Sequence, residues 1–162
     1  MKGLFIISGL GIIAMLAEIF KFKKLVYPIV IVGILAALGL NMTEWNNNMS
    51  ISVFNNMIVF DNFALAFSGV ILVVAFFWFI IAQDYFSNKS NVVDYIALLL
   101  FALTGALILT AYKNMTTLFL GIEIMSIPLY VLAASNKDDV NSNEAGYKYL
   151  ILGSFATGFL LF

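Results

Sequence analysis

Two charged residues stand where a membrane-spanning chain has least use for charge. Glu123 interrupts the otherwise uncharged stretch Met115–Ala134, and Lys148 follows in Glu144-Ala145-Gly146-Tyr147-Lys148-Tyr149. A charge at mid-bilayer costs roughly 2.5–3.5 kcal/mol on insertion scales, so an anchoring helix gains nothing from it. Glu123 is about nine residues into its segment, roughly 13 Å deep at 1.5 Å per residue, beyond the reach of a snorkelling carboxylate. A carboxyl so placed suits a proton carrier. The competing reading is a protonated acid hydrogen-bonded to a neighbouring helix. Lys148 is expected about four residues from its end of the membrane, a depth difference of roughly 10 Å from Glu123. That exceeds a direct ion pair but suits one linked by water; the alternative is a lysine snorkelling to the interface. Pro128, five residues after Glu123, has no N–H for the Ile124 carbonyl and should kink its helix. Its role is then either to admit water beside the acid or simply to shape the packing.

The elements that must hold these residues follow from composition. The 162-residue chain is 63% hydrophobic and 10% charged, with net charge −1 and mean hydropathy +1.04. Ordinary soluble domains carry ~25% charged residues. A water-soluble enzyme is therefore excluded, and with no arginine and no basic excess so is nucleic-acid binding. Histidine and cysteine are absent. Disulfides, thiolate chemistry, haem attachment, iron–sulfur ligation and the usual zinc sets go with them, and no metal site is expected. Proton chemistry must rest on carboxylates, lysines, tyrosines and water.

Six apolar runs, approximately 4–20, 25–41, 63–83, 95–112, 115–134 and 144–162, each approach the ~20 residues of a spanning helix. They are too long and unbroken for strands, and a bilayer requires internally hydrogen-bonded backbone. The expected fold is an all-α integral membrane protein, one transmembrane domain over 1–162. Residues 50–60 are the exception. Ile51, Val53, Met57 and Val59 alternate around Asn55-Asn56, which predicts a short β-hairpin on the outer side, with an irregular loop as the alternative. Asp61 then caps the third helix. Glu18 and Lys21 are spaced as an interfacial i,i+3 pair. Asp94 and Lys113 read as interface residues, and Glu144 as a first-turn carboxylate on its helix dipole. Phe76, Phe77, Trp78 and Phe79, with Tyr85 and Phe86, form an interfacial aromatic belt.

The first run ends in Glu18, Lys21, Lys23 and Lys24 without a small-residue cleavage site, as a retained helix would. Alternating from there places Lys21, Lys23, Lys24, Lys89 and Lys137 inside and Lys2 and Lys113 outside. The excess of inside lysines predicts a multi-pass membrane protein with its N-terminus outside. Gly153, Ser154, Thr157 and Gly158 form small-xxx-small pairs for close helix packing, as do Gly33 and Ala37 more weakly. Gly9-Leu10-Gly11-Ile12-Ile13-Ala14 matches a dinucleotide fingerprint, but it lies within a spanning helix and no ribose-binding acid follows.

The strings Leu120-Gly121-Ile122-Glu123-Ile124-Met125-Ser126-Ile127-Pro128-Leu129-Tyr130 and Glu144 through Gly158 resemble the antiporter-like membrane subunits of bacterial NADH–quinone oxidoreductase, respiratory complex I, nearest the subunit N type. The likeness is strongest from Asn114 to Phe162. It implies that Glu123 matches the family's essential glutamate and Lys148 its lysine on helix six. It also implies proton transfer coupled to quinone reduction elsewhere in the complex, with other membrane subunits and the lipid bilayer as partners. Quinone, flavin and iron–sulfur clusters are then expected in other subunits, and no cofactor in this chain. Family members carry about fourteen helices, so the chain is expected to be an N-terminal fragment, inactive alone and ending within helix six. Three other functions compete: a subunit of a multisubunit sodium/proton antiporter, a small stand-alone drug/proton carrier, and a non-transporting membrane scaffold.

Overall fold

A computed structural model describes residues 2–20, 23–45, 51–53, 55–86 and 91–162. Six helices follow in order: α1 Lys2–Ile19, α2 Lys23–Glu44, α3 Asn62–Phe86, α4 Val92–Thr110, α5 Met115–Ala133 and α6 Val140–Leu161. Two short strands, β1 Ile51–Val53 and β2 Ile58–Phe60, lie between α2 and α3. By length and hydropathy, five helices among the described residues could cross a membrane, α1 to α5. In α6 the polar residues Asn141, Ser142, Asn143, Glu144 and Lys148 fill the first half, and the apolar run begins only after them.

The strands pair antiparallel with Ile51 opposite Phe60 and Val53 opposite Ile58. Asn55 and Asn56 have φ of 53° and 65°, the left-handed conformation that the tight turn demands and that asparagine tolerates. The hairpin is thus present around the asparagine pair. Its second strand docks on the α4–α5 junction: Val59 N–H donates to the Ala111 carbonyl at 2.8 Å and Lys113 N–H to Met57 at 3.1 Å. Asp61 precedes α3 and accepts the Ala64 N–H at 2.7 Å, an N-cap as expected.

α4 is the central helix, packed against α1, α3 and α5, while α6 packs on α5. The core repeats with helical spacing: Ile7, Leu10 and Ala14 on α1; Val26, Val30, Ile34 and Ala37 on α2; Val93, Ile96, Ala97, Leu100 and Leu107 on α4. Large apolar side chains such as Phe5, Val32, Phe63, Val74 and Ile81 face outward, as a lipid-facing surface requires. Two polar contacts tie the helix ends on the hairpin side. Lys2 N–H donates to Glu44 at 3.4 Å, and the buried Asn41 and Ser68 side chains are hydrogen-bonded at 2.8 Å. Of the small residues marked for packing, Gly33 faces Leu10 and Ala37 is fully buried. Lys21, the proposed partner of Glu18, and the side chains of Tyr85 and Phe86 lie outside the described residues.

Candidate functional site

α5 carries the acid. Its start is set by Asn114, whose side-chain oxygen accepts from the Thr117 N–H at 2.8 Å and from the Thr117 hydroxyl at 2.5 Å. Thr117 also reaches the Met57 carbonyl at 3.1 Å, so the cap and the hairpin hold one another. The helix then runs unbroken through Pro128 to Ala133. Glu123 falls in the middle of it, roughly 12 Å from one end and 15 Å from the other at 1.5 Å per residue, and is half-buried.

α4 crosses α5 at the segment just after Glu123. A methyl group added to Gly105 would come within 2.7 Å of the Met125 Cα and 2.8 Å of the Ile124 carbonyl carbon. Only glycine permits that approach of backbone to backbone. On the α6 side, Gly146 lies against Ala134 and Gly153 against the Tyr130 hydroxyl. Tyr130 is buried, and its ring packs edge-on against Tyr149, with centroids 4.8 Å apart.

The Gly146–Ala134 contact also fixes the antiparallel register. Counting outward from it, Thr157 stands level with Glu123, and Lys148 stands level with Leu132. Glu123 and Lys148 are therefore nine residues apart along the interface, roughly 13 Å, somewhat more than the spacing expected from sequence. Lys148 instead pairs with Glu144 at 2.5 Å, one helical turn away. Because α6 begins at Val140, Glu144 belongs to its second turn and is not the first-turn dipole carboxylate expected; it is the lysine's counter-ion. Both side chains are more than half exposed in this chain. Among the described residues no ion pair joins Glu123 to Lys148, and none of their acidic side chains cluster as a metal site.

Ser126, one turn beyond Glu123, is buried, and among the described residues its hydroxyl has no hydrogen-bond partner. Neither it nor Tyr130 stood out by type. Their spacing from Glu123, three and seven residues, was the available signal, since it places all three on one helical face.

Residues 111–162 match the family model described as NADH:quinone oxidoreductase/Mrp antiporter, TM. Over its whole length the chain is 43% identical to NADH-quinone oxidoreductase subunit N of Flavobacterium psychrophilum. It is 44% identical to subunit N of Cytophaga hutchinsonii over 99% of its length. The chain is a relative of NADH-quinone oxidoreductase subunit N throughout its length. It spans about a third of those relatives, 35% of each. A chain of respiratory complex I from Thermus thermophilus, solved with bound aureothin, shares the fold: TM-score 0.78 at 22% identity, covering 98% of this chain and 34% of that one. The resemblance seen in the α5 and α6 strings therefore extends back through α1 to α4, where sequence alone showed little of it. The relatives place the chain among multi-pass bacterial membrane proteins.

Proposed function

We propose that this chain is part of a proton-translocating membrane subunit of NADH–quinone oxidoreductase, in which Glu123 takes up and releases the proton. The observation that carries the reading is a half-buried carboxyl at the centre of an apolar helix, in a chain whose full-length relatives are subunit N. Quinone reduction elsewhere in the complex would drive the transfer, and the partners would be the other membrane subunits. Lys148 serves as the second proton group, its charge balanced by Glu144 and separated from Glu123 by a distance only water and hydroxyl groups can span. Pro128 leaves the Ile124 carbonyl without its usual donor, so an acceptor is available beside the acid. The lysine distribution favours an N-terminus on the outer face. Fluorescence quenching by a pH-sensitive dye in membranes carrying the assembled enzyme tests the role of Glu123. Glu123→Gln should lower NADH-driven proton uptake by a hundredfold or more, the order lost with an acid–base group. Unaltered uptake would leave a membrane scaffold as the better description.

The matched family description also names Mrp antiporters, which keeps a second reading open: a subunit exchanging sodium for protons without NADH. Sodium-driven collapse of a pH gradient in the same vesicles, with no NADH-driven uptake, would favour it.

A further inference from the structure

Among the described residues, the Ser126 hydroxyl is buried beside Glu123 without a hydrogen-bond partner. Neighbouring helical hydroxyls behave otherwise: Thr104 donates to the Leu100 carbonyl at 2.8 Å, Thr110 to Leu107 at 2.7 Å, and Thr157 to Gly153 at 3.2 Å. Each closes on its own helix, whereas Ser126 does not. Buried polar atoms are nearly always paired, and where protein supplies no partner an ordered water commonly does.

The geometry specifies what such a water would join. At about 100° per residue, Ser126 and Tyr130 project within about 60° of the Glu123 direction. Gly105 brings α4 against Ile124 and Met125 on one side, and Tyr130 meets α6 at Gly153 on the other. Ser126 is buried on the Tyr130 side of α5, about 150° around the helix from the Gly105 contact. Helical side chains lean toward their own N-terminus, and by the Gly146–Ala134 register Gly153 is level with Ile127. The Tyr130 hydroxyl therefore reaches back to within about one residue of the Ser126 level. On that face the Ser126 hydroxyl stands one turn beyond Glu123 and one turn before Tyr130.

We propose that Ser126 is a positioning residue whose hydroxyl holds a water molecule between the Glu123 carboxyl and the Tyr130 hydroxyl, linking the acid toward the α6 side. This rests on the proton-carrier reading of Glu123. In the transfer the water gives one proton to the Glu123 carboxylate and takes the Tyr130 hydroxyl proton. Tyr130 is reprotonated from the Lys148 end, so one proton enters, one arrives, and every oxygen between keeps its count.

The test uses the full-length protein in its native membrane, with Glu123→Gln assigning the carboxyl stretch of Glu123 in infrared difference spectra. Ser126→Cys keeps the size but weakens the hydrogen bond. It should move that band and slow proton translocation about tenfold, the worth of one good hydrogen bond. Ser126→Thr, which retains the hydroxyl, should restore both. A band unmoved by Ser126→Cys overturns the inference, and the pumping of Glu123→Gln then decides separately whether the proton-carrier reading survives. A band that moves while translocation does not would reduce Ser126 to a structural water ligand and overturn its place on the route.

Discussion

Gly105→Ala is the substitution for which the structure fixes the outcome most directly. The new methyl would meet the Met125 Cα at 2.7 Å and the Ile124 carbonyl carbon at 2.8 Å, against the roughly 3.5–4.0 Å of a relaxed carbon contact. The obstacle is backbone, which no rotamer change can clear, so α4 and α5 must separate by about 1 Å at their crossing. Overpacking of this kind costs about 1–3 kcal/mol, and the rigidity of the obstacle argues for the upper part. Alanine recovers up to about 1 kcal/mol through its better helix propensity, leaving a net loss of about 1–2 kcal/mol. Gly9→Ala is the matched control, because no atom lies within 4 Å of its added methyl, so only the propensity gain remains. Unfolding of the full-length protein in detergent, titrated with dodecyl sulfate, should place Gly105→Ala below the parent and Gly9→Ala at or above it. Equal stability of the two variants would refute the close crossing. Translocation should also fall in Gly105→Ala, because the displaced residues lie between Glu123 and Ser126.

Asn114→Ala removes an oxygen that accepts two donors from Thr117. It should cost about 1 kcal/mol, the usual worth of an N-cap, and be seen as faster amide hydrogen exchange confined to the first turn of α5. Gly153→Ala puts a methyl where the Tyr130 hydroxyl lies. Translocation should slow severalfold, whereas Gly158→Ala, with nothing within 4 Å of its methyl, should leave it unchanged.

What was legible in the sequence tracks how local its cause is. The long apolar runs mark the helices because a bilayer leaves the backbone no alternative, and Asp61 shows its capping role from position alone. The asparagine pair announces the hairpin because few other residues accept positive φ. Glu123 stands out because its charge conflicts with its surroundings. The Glu144–Lys148 pair shows in its i,i+4 spacing alone; starting α6 at Glu144 instead of Val140 is what gave that carboxylate to the helix dipole. Small-xxx-small patterns found Gly33 and Gly153 but passed over Gly105, whose neighbours at four residues are bulky Phe101 and Leu109. A glycine's close contact is a property of the helix opposite it, which the local sequence does not describe. Ser126 was hidden for the same reason, since a serine in an apolar helix normally satisfies itself on its own carbonyls.

The arrangement around α5 separates what is held from what can exchange. At one end, Asn114 and Thr117 bind the helix to the hairpin; at the other, Gly146 seats α6 against Ala134. In the middle, Gly105 presses α4 onto the backbone beside Glu123. These contacts are tight backbone approaches or satisfied hydrogen bonds, and they fix the height and rotation of the acid. The face bearing Glu123, Ser126 and Tyr130 is different, for among the described residues the Ser126 hydroxyl has no partner. Proton transfer needs donors and acceptors held at fixed separations whose hydrogen bonds can still rearrange. A firmly held helix with an unpartnered hydroxyl one turn from the acid meets both conditions. A purely structural glutamate would instead be expected to close its hydrogen bonds on neighbouring helices, as Asn41 and Ser68 do with each other.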